Sequence, residues 1–133
     1  MIKTIAERYQ ALLYVLFRAM VGLLFFQHGA QKLFGWFSDK DPVIFFSMMG
    51  LVGLAELLGG LAVALGVFTR LASLGGVILT ILIYIKAHAL NGLAPIQNRG
   101  ELALLYLAAF LIITVHGAGK WGVEKAVLKK EIF

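Results

Sequence analysis

Four long apolar segments, at residues 11–37, 43–68, 69–90 and 101–117, are divided by short polar breaks, and this spacing constrains the fold more than any other feature. As helices rising 1.5 Å per residue they measure about 25–40 Å, enough to cross a hydrocarbon core of about 30 Å, the last only just. The hydrophobic fraction is 61% and only 14% of residues are charged, where soluble domains average about 45–50% and about 25%. A soluble domain of 133 residues could not bury so much apolar surface, because small domains leave a large share of it in water. The expected fold is all-α: one domain, 1–133, forming an integral membrane up-down four-helix bundle.

The breaks have turn chemistry. Ser38-Asp39-Lys40-Asp41-Pro42 suits a polar turn with Asp41 as N-cap and Pro42 at the first helical position. Thr69 is a candidate cap for the third helix after the tight connection at Gly66. The longest loop runs from Asn91 to Gly100, and Asn98-Arg99-Gly100-Glu101 has capping-box spacing. Residues 120–133 read as a basic amphipathic tail. Gly53, Gly59, Gly60 and Gly66 in the second helix, with Gly75 and Gly76 in the third, suit close backbone approach between helices.

The chain has no cysteine, so disulfides, thiolate metal sites and CxxC redox chemistry are excluded for it alone. A net charge of +5 does not point to nucleic acid, since no basic run is interleaved with aromatics. The basic residues flank the apolar spans instead. Lys3, Arg8, Arg70, Lys120, Lys125, Lys129 and Lys130 fall on one side; Lys32, Lys40, Lys86 and Arg99 fall on the other. This bias expects a plasma-membrane protein with both termini cytoplasmic. Arg18 interrupts the first apolar stretch and no clear cleavage site follows, so that stretch reads as a retained helix.

Charges inside spans are costly and face a bundle interior or a cavity. Arg18 and Glu56 are expected at depths about 10 Å apart, within reach of each other. The pair reads as a structural ion pair, as part of a substrate, proton or quinone site, or as a tolerated protonated Glu56 beside an arginine. A second cluster, His28, Lys32, Lys86, His88 and Glu101, is expected near the outer face, with His28 and Lys32 on one helix face. It reads as a polar pocket or as snorkelling lysines, interfacial histidines and a helix cap. His28 and His88 with a haem, or with Glu101 around a metal, is the weaker alternative, since no ligand-spacing motif supports it.

These residues resemble the DoxX family of small bacterial and archaeal membrane proteins. The first helix carries Arg18, His28, Gly29, Lys32, Leu33, Gly35 and Trp36; the second carries Glu56, Gly59, Gly60, Gly66, Thr69 and Arg70. The fourth begins Asn98-Arg99-Gly100-Glu101 and closes at Gly117 and Gly119, and Glu124 stands where the family pattern has an aspartate. The resemblance implies a four-helix membrane protein associated with redox systems. Relatives include membrane subunits of thiosulfate:quinone oxidoreductase and associates of thiol-handling or superoxide-removing enzymes. The expected function is a membrane subunit or anchor of an oxidoreductase system, not catalytic alone, with a quinone or small-molecule site and redox-protein partners. A small-molecule transporter, which would need a homo-oligomer because no inverted repeat is visible, and a structural scaffold are the alternatives.

Overall fold

A computed structural model describes residues 1–132, and within them every regular element is helical. The elements are α1 (Ile2–Phe34), α2 (Met48–Leu65), α3 (Thr69–Ile83), α4 (Pro95–Asn98), α5 (Glu101–His116) and α6 (Val123–Leu128). A π-helical turn (Tyr84–His88) and a 3-10 turn (Ala89–Asn91) prolong α3, so Thr69–Asn91 is continuous. Ile2–Phe34, Met48–Leu65 and Thr69–Asn91 are long and apolar enough to cross a membrane. The apolar helix α5 has 16 residues, or about 24 Å.

α1 begins nine residues before the apolar stretch expected at 11, because Lys3, Glu7 and Arg8 do not oppose helix in themselves. Lys3 and Glu7 even form an i,i+4 pair at 4.0 Å. α1 stops at Gly35, whose φ of 68° lets its N–H reach the carbonyl of Gln31. The second helix does not start at Asp41-Pro42. Val43 N–H instead bonds the Lys32 carbonyl at 2.9 Å, holding the chain against the end of α1. Ser47 becomes the N-cap, its hydroxyl accepting the Gly50 N–H at 3.0 Å. Thr69 does not cap α3 either; Phe68 occupies that position with a φ of 45° and Thr69 is the first helical residue. The spacing at Asn98–Glu101 makes no capping box: the Asn98 carboxamide takes the Gly100 N–H at 2.8 Å, and Glu101 is exposed in the first turn of α5.

α1 and α2 meet along a glycine seam. A Cβ on Gly22 would lie 2.4 Å from the Ala64 nitrogen, and one on Gly60 2.4 Å from the Phe26 nitrogen. Seven residues along, a Cβ on Gly29 would lie 2.4 Å from the Leu57 nitrogen. The backbones therefore touch where lipid-like surroundings supply no hydrophobic drive, and van der Waals packing holds them. Gly59 and Gly75, expected to do the same, face open space. α3 joins α5 by a different device, with the Phe110 ring lying against Gly76 and the Thr114 hydroxyl donating to Ser73 Oγ at 2.9 Å. Val21, Phe25, Val63, Val77, Tyr106, Phe110 and Ile113 form the core between these helices.

The C-terminal segment folds back over one end of the helices. Tyr14 donates to the Gly117 carbonyl at 2.6 Å, and Glu124 N–H to the Gly66 carbonyl at 3.2 Å. The first ten residues are all exposed, because α1 continues past the level of this segment.

Candidate functional site

Glu56 lies in the middle of α2 and is 3% exposed. Its partner is Lys32, not Arg18: Lys32 Nζ donates to Glu56 Oε2 at 2.5 Å, with the Lys32 side chain 23% exposed. The geometry follows from the glycine seam. Gly53, Glu56 and Gly60 share one stripe of α2, while Gly22, Gly29 and Lys32 share one stripe of α1. With no side chain on Gly53, the Lys32 stem packs on that position, its Cβ 3.0 Å from where a Gly53 Cβ would stand. The ammonium can then turn back along the helix to the carboxylate. A buried carboxylate without such a partner would carry a large desolvation cost.

His28, four residues before Lys32, is half-buried, and its ring meets that of Tyr106 edge-on at 5.7 Å. Tyr106 packs in turn on Phe25 at 5.3 Å and stacks on Phe110 at 6.0 Å. Tyr106 lies within electrostatic range of Glu56, as His28 does of Lys32. Beside His28 opens a cavity of about 160 Å³ lined by Leu24, Gln27, His28, Gln31 and Phe37. One end of the molecule thus combines an ion pair, an imidazole, a phenol and two carboxamides.

The rest of the expected outer cluster lies elsewhere. His88 Nδ1 is 2.9 Å from the Asn98 carbonyl, and its ring faces Tyr84 at 6.2 Å. Lys86 and Glu101 are exposed. The π-helical turn shifts the register after Ile83, and Asn98 ties the following loop to Tyr84 and Gly92. His28 and His88 therefore have separate neighbours. Among the described residues no three of His, Asp and Glu gather as metal ligands.

Arg18 is 2% exposed and belongs to a different network. It donates to the Val63 carbonyl and to the Trp121 carbonyl, both at 3.0 Å. Val63 is seven residues beyond Glu56, so the two charges sit about 10 Å apart along α2. The expected Arg18–Glu56 contact is not made, because each group has a nearer partner. Arg18 clasps the end of α2 to the C-terminal segment. Glu124, 4% exposed, adds to the same clasp by accepting the Phe68 N–H at 3.0 Å and the Ile132 N–H at 3.1 Å. Arg70 extends it, donating to the Thr114 and Val115 carbonyls and lying 3.7 Å from Glu131.

Neither Tyr106 nor the Glu124 clasp was singled out as functional from the sequence. The shared stripe of Gly53, Glu56 and Gly60 against Gly22, Gly29 and Lys32 was the signal that could have paired Lys32 with Glu56. Glu124 carried only the trace of standing at a patterned acidic position.

Against known proteins, the model of the family DoxX matches residues 13–89, more than half of the chain and the part that carries Arg18, His28, Lys32 and Glu56. The chain belongs to the DoxX family. It is a DoxX membrane protein with three helices of spanning length. A Haemophilus influenzae protein described as uncharacterized is 29% identical over 130 residues, covering 93% of this chain and 97% of that protein. A second protein of that organism, described in the same words, is 29% identical over 115 residues, covering 79% and 76%. No solved structure matches the chain. The clasp at Gly117, Trp121 and Glu124 lies beyond the matched DoxX segment.

Proposed function

We propose that this DoxX protein is the membrane subunit of an oxidoreductase system and holds a quinone-type head group in the cavity beside His28. The observation that carries the reading is the Lys32–Glu56 pair within the helices, with Lys32 one helical turn along α1 from the His28 that lines the cavity. Ionisable side chains within a membrane span are expensive, and they mark ligand or proton pathways. The wall offers donors suited to carbonyl oxygens, the amides of Gln27 and Gln31 and the imidazole of His28, over the apolar faces of Leu24 and Phe37. A bound quinone would accept electrons from a partner oxidoreductase. Full reduction to the quinol takes two electrons and two protons; His28 would pass one proton at its ring nitrogen and water at the cavity mouth the other, with Lys32 and Glu56 holding the charge balance of the site. The redox assignment itself draws on the family resemblance.

The same reading has α1, α2, Thr69–Asn91 and α5 crossing the plasma membrane as an up-down four-helix bundle with both termini cytoplasmic. The bonds from Tyr14 and Arg18 of α1 to Gly117 and Trp121, just after α5, support it, since they hold those two levels at one end of the molecule.

Trp36 stands beside Phe37, their rings 6.4 Å apart, and so reports on the cavity. In a Trp121→Phe background, a short-chain quinone titrated into detergent-solubilised protein is expected to quench Trp36 saturably. His28→Ala and Gln31→Leu are each expected to weaken binding about tenfold, the loss of one to two hydrogen bonds, while helicity stays unchanged. Quenching that never saturates, or affinities identical in the three proteins, overturns the reading. Uptake of solute by the isolated protein in proteoliposomes would favour a transporter instead.

A further inference from the structure

We infer that the pocket between the end of α2 and the C-terminal segment binds the phosphate of an anionic phospholipid. This site is separate from the cavity at His28 and stands whether or not that cavity takes a quinone.

The pocket has a volume of about 460 Å³ and an amphiphilic wall: Lys120 and Lys125 supply charge, while Leu65, Trp121, Val123 and Ala126 supply apolar surface. Lys120 Nζ lies over the Trp121 ring, 5.6 Å from its centroid, which keeps the ammonium at the mouth. Among the described residues the ion pairs are Lys3–Glu7, Lys32–Glu56 and Arg70–Glu131, so neither pocket lysine meets a carboxylate. Behind the wall the Arg18 guanidinium donates to the Trp121 carbonyl, and among the described residues its Nε has no hydrogen-bond partner. The acids of this region are turned to other work. Glu124 accepts two backbone N–H groups from Phe68 and Ile132, and Glu131 accepts the Ala118 N–H and faces Arg70. Both acids are thus engaged away from the two lysines at the rim.

The pocket also sits at the right level. The apolar helix α2 ends at Leu65, and the C-terminal segment is bonded to the turn that follows, Glu124 N–H to Gly66 carbonyl. In a bilayer this is where hydrocarbon gives way to head groups, the depth at which tryptophan and lysine are enriched. Leu65, Val123 and Ala126 would face the first carbons of an acyl chain while the lysines meet the phosphate. A free phosphate would satisfy the lysines alone and leave that apolar wall in water.

The test uses the full chain in lipid nanodiscs with Trp36→Phe, so that Trp121 is the fluorophore, and compares brominated phosphatidylglycerol with brominated phosphatidylcholine as a minor component. Preferential quenching by the anionic lipid is expected, falling about fivefold for each lysine removed in Lys120→Gln and Lys125→Gln. A Lys129→Gln/Lys130→Gln variant, with the same loss of charge on the same tail, is expected to keep the preference. Equal quenching by both lipids, or equal loss in the Lys129/Lys130 control, overturns the site. Excess inorganic phosphate at constant ionic strength is expected to leave the preference intact. Its abolition would show that the pocket takes free phosphate and would overturn the lipid assignment.

Discussion

Lys32 and Glu56 illustrate how a buried charge is made tolerable by what its neighbours lack. Gly53 has no side chain, so the lysine stem lies against α2 and its ammonium reaches a carboxylate in the middle of that helix. Lys32→Met alone leaves Glu56 buried without its partner and is expected to cost about 3–5 kcal/mol. Lys32→Met combined with Glu56→Leu should recover most of that loss, since no uncompensated charge remains. Thermal unfolding in one detergent measures both, and a double variant as unstable as the single one would show that the pair itself stabilises. Glu124 works by hydrogen bonding. Its carboxylate takes the Phe68 and Ile132 N–H groups, so Glu124→Ala is expected to cost about 1–3 kcal/mol by removing two part-buried hydrogen bonds to a charged acceptor. Glu124→Gln, which retains one acceptor oxygen, should cost less. Faster proteolysis of the tail in Glu124→Ala than in Glu124→Gln is the corresponding readout.

Among the elements, the α1–α2 pair is the most demanding. Gly22 and Gly60 approach so closely that any side chain strikes backbone, which cannot swing aside as a flexible side chain can. Gly22→Ala is expected to destabilise by about 1–3 kcal/mol, the cost of overpacking. Gly59→Ala, one position from Gly60 but facing open space, is expected to be neutral or to stabilise by up to about 1 kcal/mol through helix propensity. The contrast between a seam glycine and one facing open space tests the seam directly, and equal melting temperatures for the two variants would refute it. α3 shows the opposite kind of element, where a π-helical turn at Tyr84–His88 redirects the side chains that follow. Within that turn His88 meets Tyr84 and the Asn98 carbonyl, whereas His28 meets Tyr106, although their distances along the two helices suggested a meeting.

For the whole molecule the main consequence is topological. Three helices have spanning length and α5 is shorter, so the number of crossings turns on α5. Four crossings place the termini on one side of the bilayer; three place them on opposite sides. Because the chain has no cysteine, single cysteines can be introduced freely. Lys3→Cys and Lys129→Cys are expected to react with an impermeant thiol reagent from the cytoplasmic side, and Lys40→Cys and Arg99→Cys from the other. Opposite labelling of Lys3→Cys and Lys129→Cys would remove α5 from the set of spans. The helical class, the apolar spans and the DoxX resemblance were legible in the sequence, because hydropathy and length are local properties that need no partner. Helix limits were legible to within a few residues except at two starts: α1 begins at Ile2 because a polar, charged turn can still be helical, and α2 begins late because the bond from Val43 to Lys32 outweighed the local preference of Asp41-Pro42 for a helix start. Charge pairing was not legible. Depth along a helix is one coordinate, and which stripe of α1 meets which stripe of α2 is another, set by where backbones can touch. Only the tertiary structure decided that Glu56 meets Lys32, that Arg18 holds the C-terminal segment, and that His28 and His88 stand apart.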